Sequence, residues 1–259
     1  MNLAQQNALR FAGTEARGGF GEAWLAAAPD SRLLMAELLD AVEPHQQVLE
    51  IGCGAGGACN QLAWKGYFRV TGVEGDAAAV DRARLAAEQM EVWPPPRFVV
   101  AEAAALPFAD GQFAAVVVRS ALTRLVSPAQ HRDALREASR VLAPAGRLYL
   151  SAVAKTCYTV EARARYEVAE RLTGHRGTVM VRDPQTWRVA GCEHHFGEQE
   201  LADLLMEAGF EIERFQYESF ATPHVAGRRL IVATATKAVC GAWVARSPAR
   251  RETAGLPAA

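Results

Sequence analysis

The sequence predicts one α/β domain built on an open, mostly parallel sheet, preceded by helices and carrying an insertion. Three observations point to it. From Gln47 onward, short apolar runs alternate with amphipathic stretches, the pattern of buried parallel strands and their crossover helices. The first of these runs leads straight into a glycine turn, Gly52-Cys53-Gly54-Ala55-Gly56-Gly57. Near the end, two apolar runs follow one another without a helix between them, so they must pair antiparallel.

The elements follow in order. From Phe20 to Val42, Trp24, Leu25, Leu33, Leu34, Leu38 and Leu39 recur at near-helical spacing, which predicts one or two amphipathic helices in a segment covering 1–46. The main domain spans 47–237. It opens with a strand at 48–51, a helix over 58–65, a strand at 69–74 and a helix over 77–90, together a βαβ unit. The Trp-Pro-Pro-Pro stop at 93–96 precedes a strand at 97–101. A polar loop, a strand at 113–119, a helix over 129–142, a Pro-Ala-Gly turn at 144–146 and a strand at 146–153 come next. Residues 154–196 break the rhythm and read as an inserted cap: a helix over 160–172, then an irregular stretch rich in Arg, Gly and His. A helix over 198–208, stopped by Gly209, leads to the two final strands at 210–218 and 228–237. The tail at 238–259 is weakly patterned.

Composition excludes several classes. With 259 residues, 50% hydrophobic and 22% charged, the chain can bury a large core without disulfides. The five cysteines include no CxxC pair, and their odd number favours reduced thiols. No leader pattern opens the chain and no run reaches the ~18 apolar residues of a membrane span, so a cytoplasmic protein is expected. A formal net charge of -1 offers no global attraction to nucleic acid or to an anionic membrane.

The glycine turn between a strand and a helix lets backbone approach a ligand over a helix N-terminus. Gly52, Gly54 and Gly57 fit GxGxxG, a spacing that also suits a dinucleotide. Glu74 ends the second strand 20 residues beyond Gly54, where a carboxylate can accept both hydroxyls of an adenosine ribose. Glu50 separates the two cofactor classes. A carboxylate two residues before the turn repels a pyrophosphate and attracts an ammonium, so the cofactor should carry a cation there. The competing reading of Glu50 is that it is only a solvated or salt-bridged strand-end residue.

VLEIGCGAGG at 48–57 resembles the first motif of the class I S-adenosylmethionine-dependent methyltransferases, in particular the branch acting on small molecules. The likeness continues, in order, through VTGVEGD at 70–76, FVVAEAAALPFADGQFAAVVV at 98–118, REASRVLAPAGRLYLS at 136–151 and HFGEQELADLLMEAGFEIE at 195–213. It covers roughly Gln47 to Lys237 outside the insertion. The resemblance implies a Rossmann-like, doubly wound, seven-stranded sheet, mostly parallel with its last strand antiparallel, and S-adenosylmethionine as cofactor. It implies that Glu50 and the backbone of Gly52, Cys53 and Gly54 hold the methionine end and that Glu74 holds the ribose. Gly75 or Asp76 would lie beside the adenosine, Glu102 and Ala103 would border the adenine, and Arg119 would offer its backbone carbonyl to the methionine amino group. Four positions depart from the family pattern: Glu102 stands where Asp is common, Ala114 follows Phe113 in place of Asp, and Thr123 and Arg124 replace an aromatic or histidine pair.

Methyl transfer from a sulfonium needs alignment and a dry site more than a catalytic side chain. Should a base be used, His175, His194, His195, His224 and Tyr158 are the candidates. Cys192, Glu193, His194 and His195 lack metal-ligand spacing, so no metal is expected. The cap brings Tyr158, Tyr166, Trp187 and Phe196, which either wall an acceptor pocket or pack the cap onto the domain. Its arginines 163, 165, 171, 176, 182 and 188 suggest an anionic small-molecule acceptor or a solvated face. A nucleic-acid or protein acceptor is disfavoured by the charge and by Arg119-Ser120-Ala121-Leu122, and a dinucleotide oxidoreductase by Glu50 and the antiparallel end of the sheet. A non-catalytic cofactor-binding or interaction module on the same fold stays open, as does the choice between monomer and homodimer.

Overall fold

The computed structural model describes residues 32–91, 93–156, 159–182, 186, 188–222 and 225–238. Helix α1 (Arg32–Ala41) realises the end of the amphipathic N-terminal pattern; residues 1–31, His224, Tyr158, Trp187 and the tail from 239 lie outside the described residues. The main domain then runs β1 (Val48–Ile51), α2 (Gly57–Trp64), β2 (Val70–Glu74), α3 (Ala77–Gln89), β3 (Arg97–Val100), β4 (Phe113–Arg119), α4 (Ala121–Arg124), α5 (Pro128–Val141) and β5 (Leu142–Val153). After β5 come α6 (Val160–Thr173), β6 (Thr178–Arg182), β7 (Val189–His194), α7 (Glu198–Glu207), β8 (Phe210–Thr222) and β9 (Val225–Lys237).

Seven strands form one sheet in the order β3-β2-β1-β4-β5-β9-β8. β1 pairs in parallel with β2 and β4, β2 with β3, and β4 with β5, whereas β9 runs antiparallel to both β5 and β8. The expected Rossmann-like sheet with one antiparallel strand is therefore the observed one. The reversal of strand order beside β1 opens a crevice at the strands' carboxyl ends, where open α/β sheets bind ligands.

Side chains alternate across the sheet, and each face has its own core. Val48, Val70, Val117, Tyr149, Val153 and Val232 pack with α1, α2 and α3 on one face. Leu49, Ile51, Val73, Val118, Leu150 and Ile231 pack with α5 and α7 on the other. The Glu37 carboxylate of α1 ties that helix to the distal strands by accepting from Thr234 Oγ1 and, at 2.6 Å, from Arg214. Arg140 of α5 pins the loop before β4: it donates to the carbonyls of Leu106 and Phe108 at 3.0 and 2.8 Å and pairs with Glu137 and Asp110. The Arg140 hydrogen bond holds the Glu137 carboxyl below its usual range.

Two elements differ from expectation. β5 begins at Leu142, not at Gly146, because the chain passes directly from α5 into extended backbone and makes its turn, with Ala145 at φ 58°, inside the strand. The stretch of the insertion read as irregular contains the antiparallel hairpin β6–β7, pairing Thr178 with His194 and Met180 with Cys192. A short, partly buried hairpin lacks the clean alternation that marks a strand with one wet face. The insertion rejoins the sheet where Phe196 bridges Ala154 in parallel, with Phe196 N donating to Val153 O at 2.8 Å.

Candidate functional site

Glu50 faces Gly72 across β1 and β2, and Glu74 lies two residues further along β2, so both acids are on the same face at neighbouring strand ends. The turn after β1 joins them. Gly52 N and Cys53 N donate to Val73 O at 2.8 and 2.9 Å, and Gly54 N donates to Glu74 Oε2 at 3.1 Å. Glu74 Oε1 accepts from Gly75 N and Asp76 N at 3.0 and 3.3 Å. Three backbone donors thus aim a carboxylate that is only 7% exposed.

The turn demands glycine at its first position. Gly52 has φ +73°, and a Cβ there would stand 2.4 Å from Ala121 Cβ. The glycine that admits close packing is Gly56, the residue before α2, where a Cβ would meet Ala83 and Phe98 at 2.8 Å; Gly57, the third glycine of the sequence motif, has nothing within 4 Å.

Glu50 is 1% exposed. Its Oε1 accepts from Arg119 Nε at 2.8 Å and its Oε2 from the Cys59 thiol at 3.0 Å. Hydrogen bonding to Cys53, burial and the Glu50 charge push the Cys59 thiol well above its ordinary range, which keeps it a donor. Cys53 turns its sulfur inward against Gly72, leaving the backbone of this residue to line the turn. Asp76 caps α3 by accepting from Ala78 N at 2.9 Å, and Gly75 packs against Glu102, whose Oε1 would stand 3.2 Å from a Cβ there. Ala103, half-buried, rests on the core face of α5 and α7.

Past β4 the backbone turns sharply: Ser120 takes φ 52°, donates from its N–H to Ser151 O at 2.8 Å and starts α4. Thr123 Oγ1 accepts from Val153 N at 3.2 Å, and Arg124 Nη1 lies 3.7 Å from Glu74 Oε2. Two of the positions that break the family pattern therefore brace α4 against β5 and add a cation beside the second acid. His131 of α5 holds α4 from below through contacts from Nε2 to the carbonyls of Leu122 and Leu125 at 3.2 and 2.9 Å. Since carbonyls only accept, Nε2 carries the proton. Burial and the neighbouring His194 push the His131 pKa down to about 4, so the ring is neutral. Sequence reasoning missed His131, although its spacing with Ala134, Leu135 and Ala138 puts it on the core face of its helix.

The rings of His194 and His195 hold partners within the insertion and α7. His194 pairs with Glu200 at 2.7 Å and packs on Phe196, while His195 meets Tyr166 Oη through Nδ1 at 2.9 Å and Glu193 through Nε2 at 3.4 Å. His175 bonds through its backbone to Thr173 and Thr178. Tyr166 and Phe196 are buried, and Arg163, Arg165, Arg171, Arg176, Arg182 and Arg188 are all exposed. Among the described residues no group of three or more His, Cys, Asp or Glu is placed to hold a metal, and no helix is long and apolar enough to cross a membrane.

Several known proteins resemble this chain. A family model described as a methyltransferase domain matches residues 48–146. A solved SAM-dependent methyltransferase of Methanosarcina mazei is 30% identical, superposes with a TM-score of 0.74, and the match covers 78% of this chain and 97% of that one. The ubiquinone/menaquinone biosynthesis C-methyltransferase of Pseudomonas savastanoi is 26% identical over 74% of each chain. An uncharacterized protein from a Streptomyces fradiae transposon is 29% identical over 72% of this chain, which spans only 49% of that relative's length.

Proposed function

Because the chain belongs to the class I S-adenosylmethionine-dependent methyltransferases, we propose that it moves a methyl group from S-adenosylmethionine to a small organic acceptor at the carboxyl ends of β1, β4 and β5. The observation that carries this reading is the pair of acids, Glu50 and Glu74, on one face of neighbouring strands with the glycine turn strung between them.

The residues present fit that cofactor. A carboxylate offers about four acceptor sites, and the three backbone donors on Glu74 orient it while leaving room for a ribose hydroxyl. Glu50, the backbone of Gly52, Cys53 and Gly54 and the carbonyl of Arg119 would hold the methionine end. Gly75 and Asp76 would flank the adenosine, and Glu102 and Ala103 would border the adenine. When bound, S-adenosylmethionine supplies a methyl group on a sulfonium, activated for in-line displacement. The chain's own contribution is alignment and exclusion of water.

The segment from 154 to 196 would shape the acceptor site, since it rejoins the sheet beside β5 at the crevice end. The C-methyltransferase relative from Pseudomonas is named for quinone biosynthesis, and this supports a small organic acceptor over a nucleic acid. The formal net charge of -1 supports the same choice. Calorimetric titration with S-adenosylmethionine, S-adenosylhomocysteine and NAD tests the reading: the first two should bind and NAD should not. NAD binding without binding of either adenosyl compound overturns it. A methyl-sized mass gain in metabolite pools supplied with S-adenosylmethionine would then identify the acceptor.

A further inference from the structure

Arg119 ends β4 on the same face as Glu50, one residue past the position that pairs with Ile51. Its guanidinium Nε donates to Glu50 Oε1 at 2.8 Å, and its side chain is 16% exposed at the strand ends. On the other side, Arg119 lies in register with Ser151 of β5, so the two side chains share that face. Ser151 Oγ is fully buried and has no hydrogen-bond partner among the described residues. A buried hydroxyl in that condition marks a place where a polar partner is expected. The left-handed turn at Ser120 fixes where β4 stops, and so fixes Arg119 as the last side chain of the strand.

Resting on the cofactor reading above, we infer that the Arg119 side chain grips the α-carboxylate of the cofactor's amino-acid end, with the Ser151 hydroxyl as a second donor. The Glu50–Arg119 ion pair then acts as a template for a zwitterion. A carboxylate and a guanidinium locked side by side present opposite charges in the arrangement that an α-ammonium and α-carboxylate complement. Glu50 has two functions in this arrangement: it attracts the ammonium, and it holds the guanidinium in one orientation before the ligand arrives. The planar fork of arginine suits a carboxylate better than the point charge of lysine does. This role belongs to the side chain of Arg119 and is additional to its backbone carbonyl.

The test compares ligands that differ by a single group, so it needs no acceptor. Calorimetry on the wild-type chain with S-adenosylhomocysteine, its decarboxylated counterpart and methylthioadenosine should show that loss of the carboxylate alone weakens binding by about 30-fold. In Arg119→Lys and Arg119→Gln, S-adenosylhomocysteine should weaken by about 10-fold or more, while the decarboxylated ligand changes less than about threefold. Ser151→Ala should produce a smaller loss with the same ligand selectivity. If the wild-type chain binds the carboxylated and decarboxylated ligands equally well, the inference fails and the cofactor reading stands. Equal weakening of both ligands by Arg119→Lys also overturns it, since that is the mark of a purely structural ion pair. If neither S-adenosylhomocysteine nor methylthioadenosine binds the wild-type chain, the cofactor reading falls and the inference with it. If Arg119→Gln fails to fold, Arg119→Lys, which keeps a cation beside Glu50, still separates the two outcomes.

Discussion

Gly54 donates its backbone N–H to Glu74 at 3.1 Å, so the turn that closes β1 is fastened to the acid that ends β2. Loop position and, on the proposed reading, ribose recognition therefore rest on one carboxylate. Glu74→Gln puts an amide in its place, and wherever the amide NH₂ faces a backbone N–H the contact is lost. We expect this substitution to weaken S-adenosylhomocysteine binding by about 10-fold or more and to destabilise the fold by about 1–2 kcal/mol. Calorimetry and urea unfolding read the two effects separately. Unchanged affinity would remove Glu74 from the site.

Gly52 offers a sharper test of the turn. At φ +73°, with Ala121 Cβ 2.4 Å from where its own Cβ would stand, Gly52→Ala both strains the backbone and drives α4 away from β1. The expected cost is about 2 kcal/mol or more in urea unfolding, accompanied by loss of ligand binding. Gly57→Ala, which meets nothing within 4 Å, is the control and should change stability by less than about 1 kcal/mol.

His131 makes stability depend on pH. Burial and His194 depress its pKa to about 4 in the folded chain, against about 6.5 when unfolded. The unfolded chain binds the extra proton first as the pH falls. The stabilisation is therefore complete above about pH 6.5 and is lost as pH drops towards 4, with an upper limit of about 3 kcal/mol. His131→Asn should flatten this part of the profile. Unfolding midpoints between pH 7.5 and 4.5 for both proteins would show it, and parallel profiles would refute the assignment.

The Arg140 network should matter to the loop before β4 more than to the crevice. Arg140 donates to two loop carbonyls and pairs with Glu137, whose Oε2 in turn accepts from Leu106 N at 2.7 Å. Arg140→Ala should cost about 2 kcal/mol, since it strands several polar groups together. Ligand affinity should stay within about threefold. Hydrogen exchange at Leu106 and Phe108 should quicken.

The sheet was readable because buried parallel strands appear as unbroken apolar runs, as in Val48–Ile51 and in the valines of β4, and because the glycine turn marks the first crossover. The acids were readable for a related reason: a carboxylate within such a run has few explanations. The hairpin β6–β7 was not, since its residues are buried to mixed degrees and no period of two emerges from Thr178 to Arg182. The Arg119 side chain was also missed. Its partner Glu50 is 69 positions away in sequence, and only pairing of β1 with β4 brings them together. Cys59 reaches the same carboxylate from the first turns of α2, a contact that depends on how that helix tilts onto the sheet.

Ala154 and Phe196 touch across a single parallel bridge, so the inserted stretch departs and returns through adjoining backbone positions. A segment anchored in this way can lengthen, shorten or be exchanged between descendants without shifting the strands beneath it. On the proposed reading, acceptor choice can be retuned there while the glycine turn stays as it is, and a graft of the segment from a relative is the laboratory equivalent.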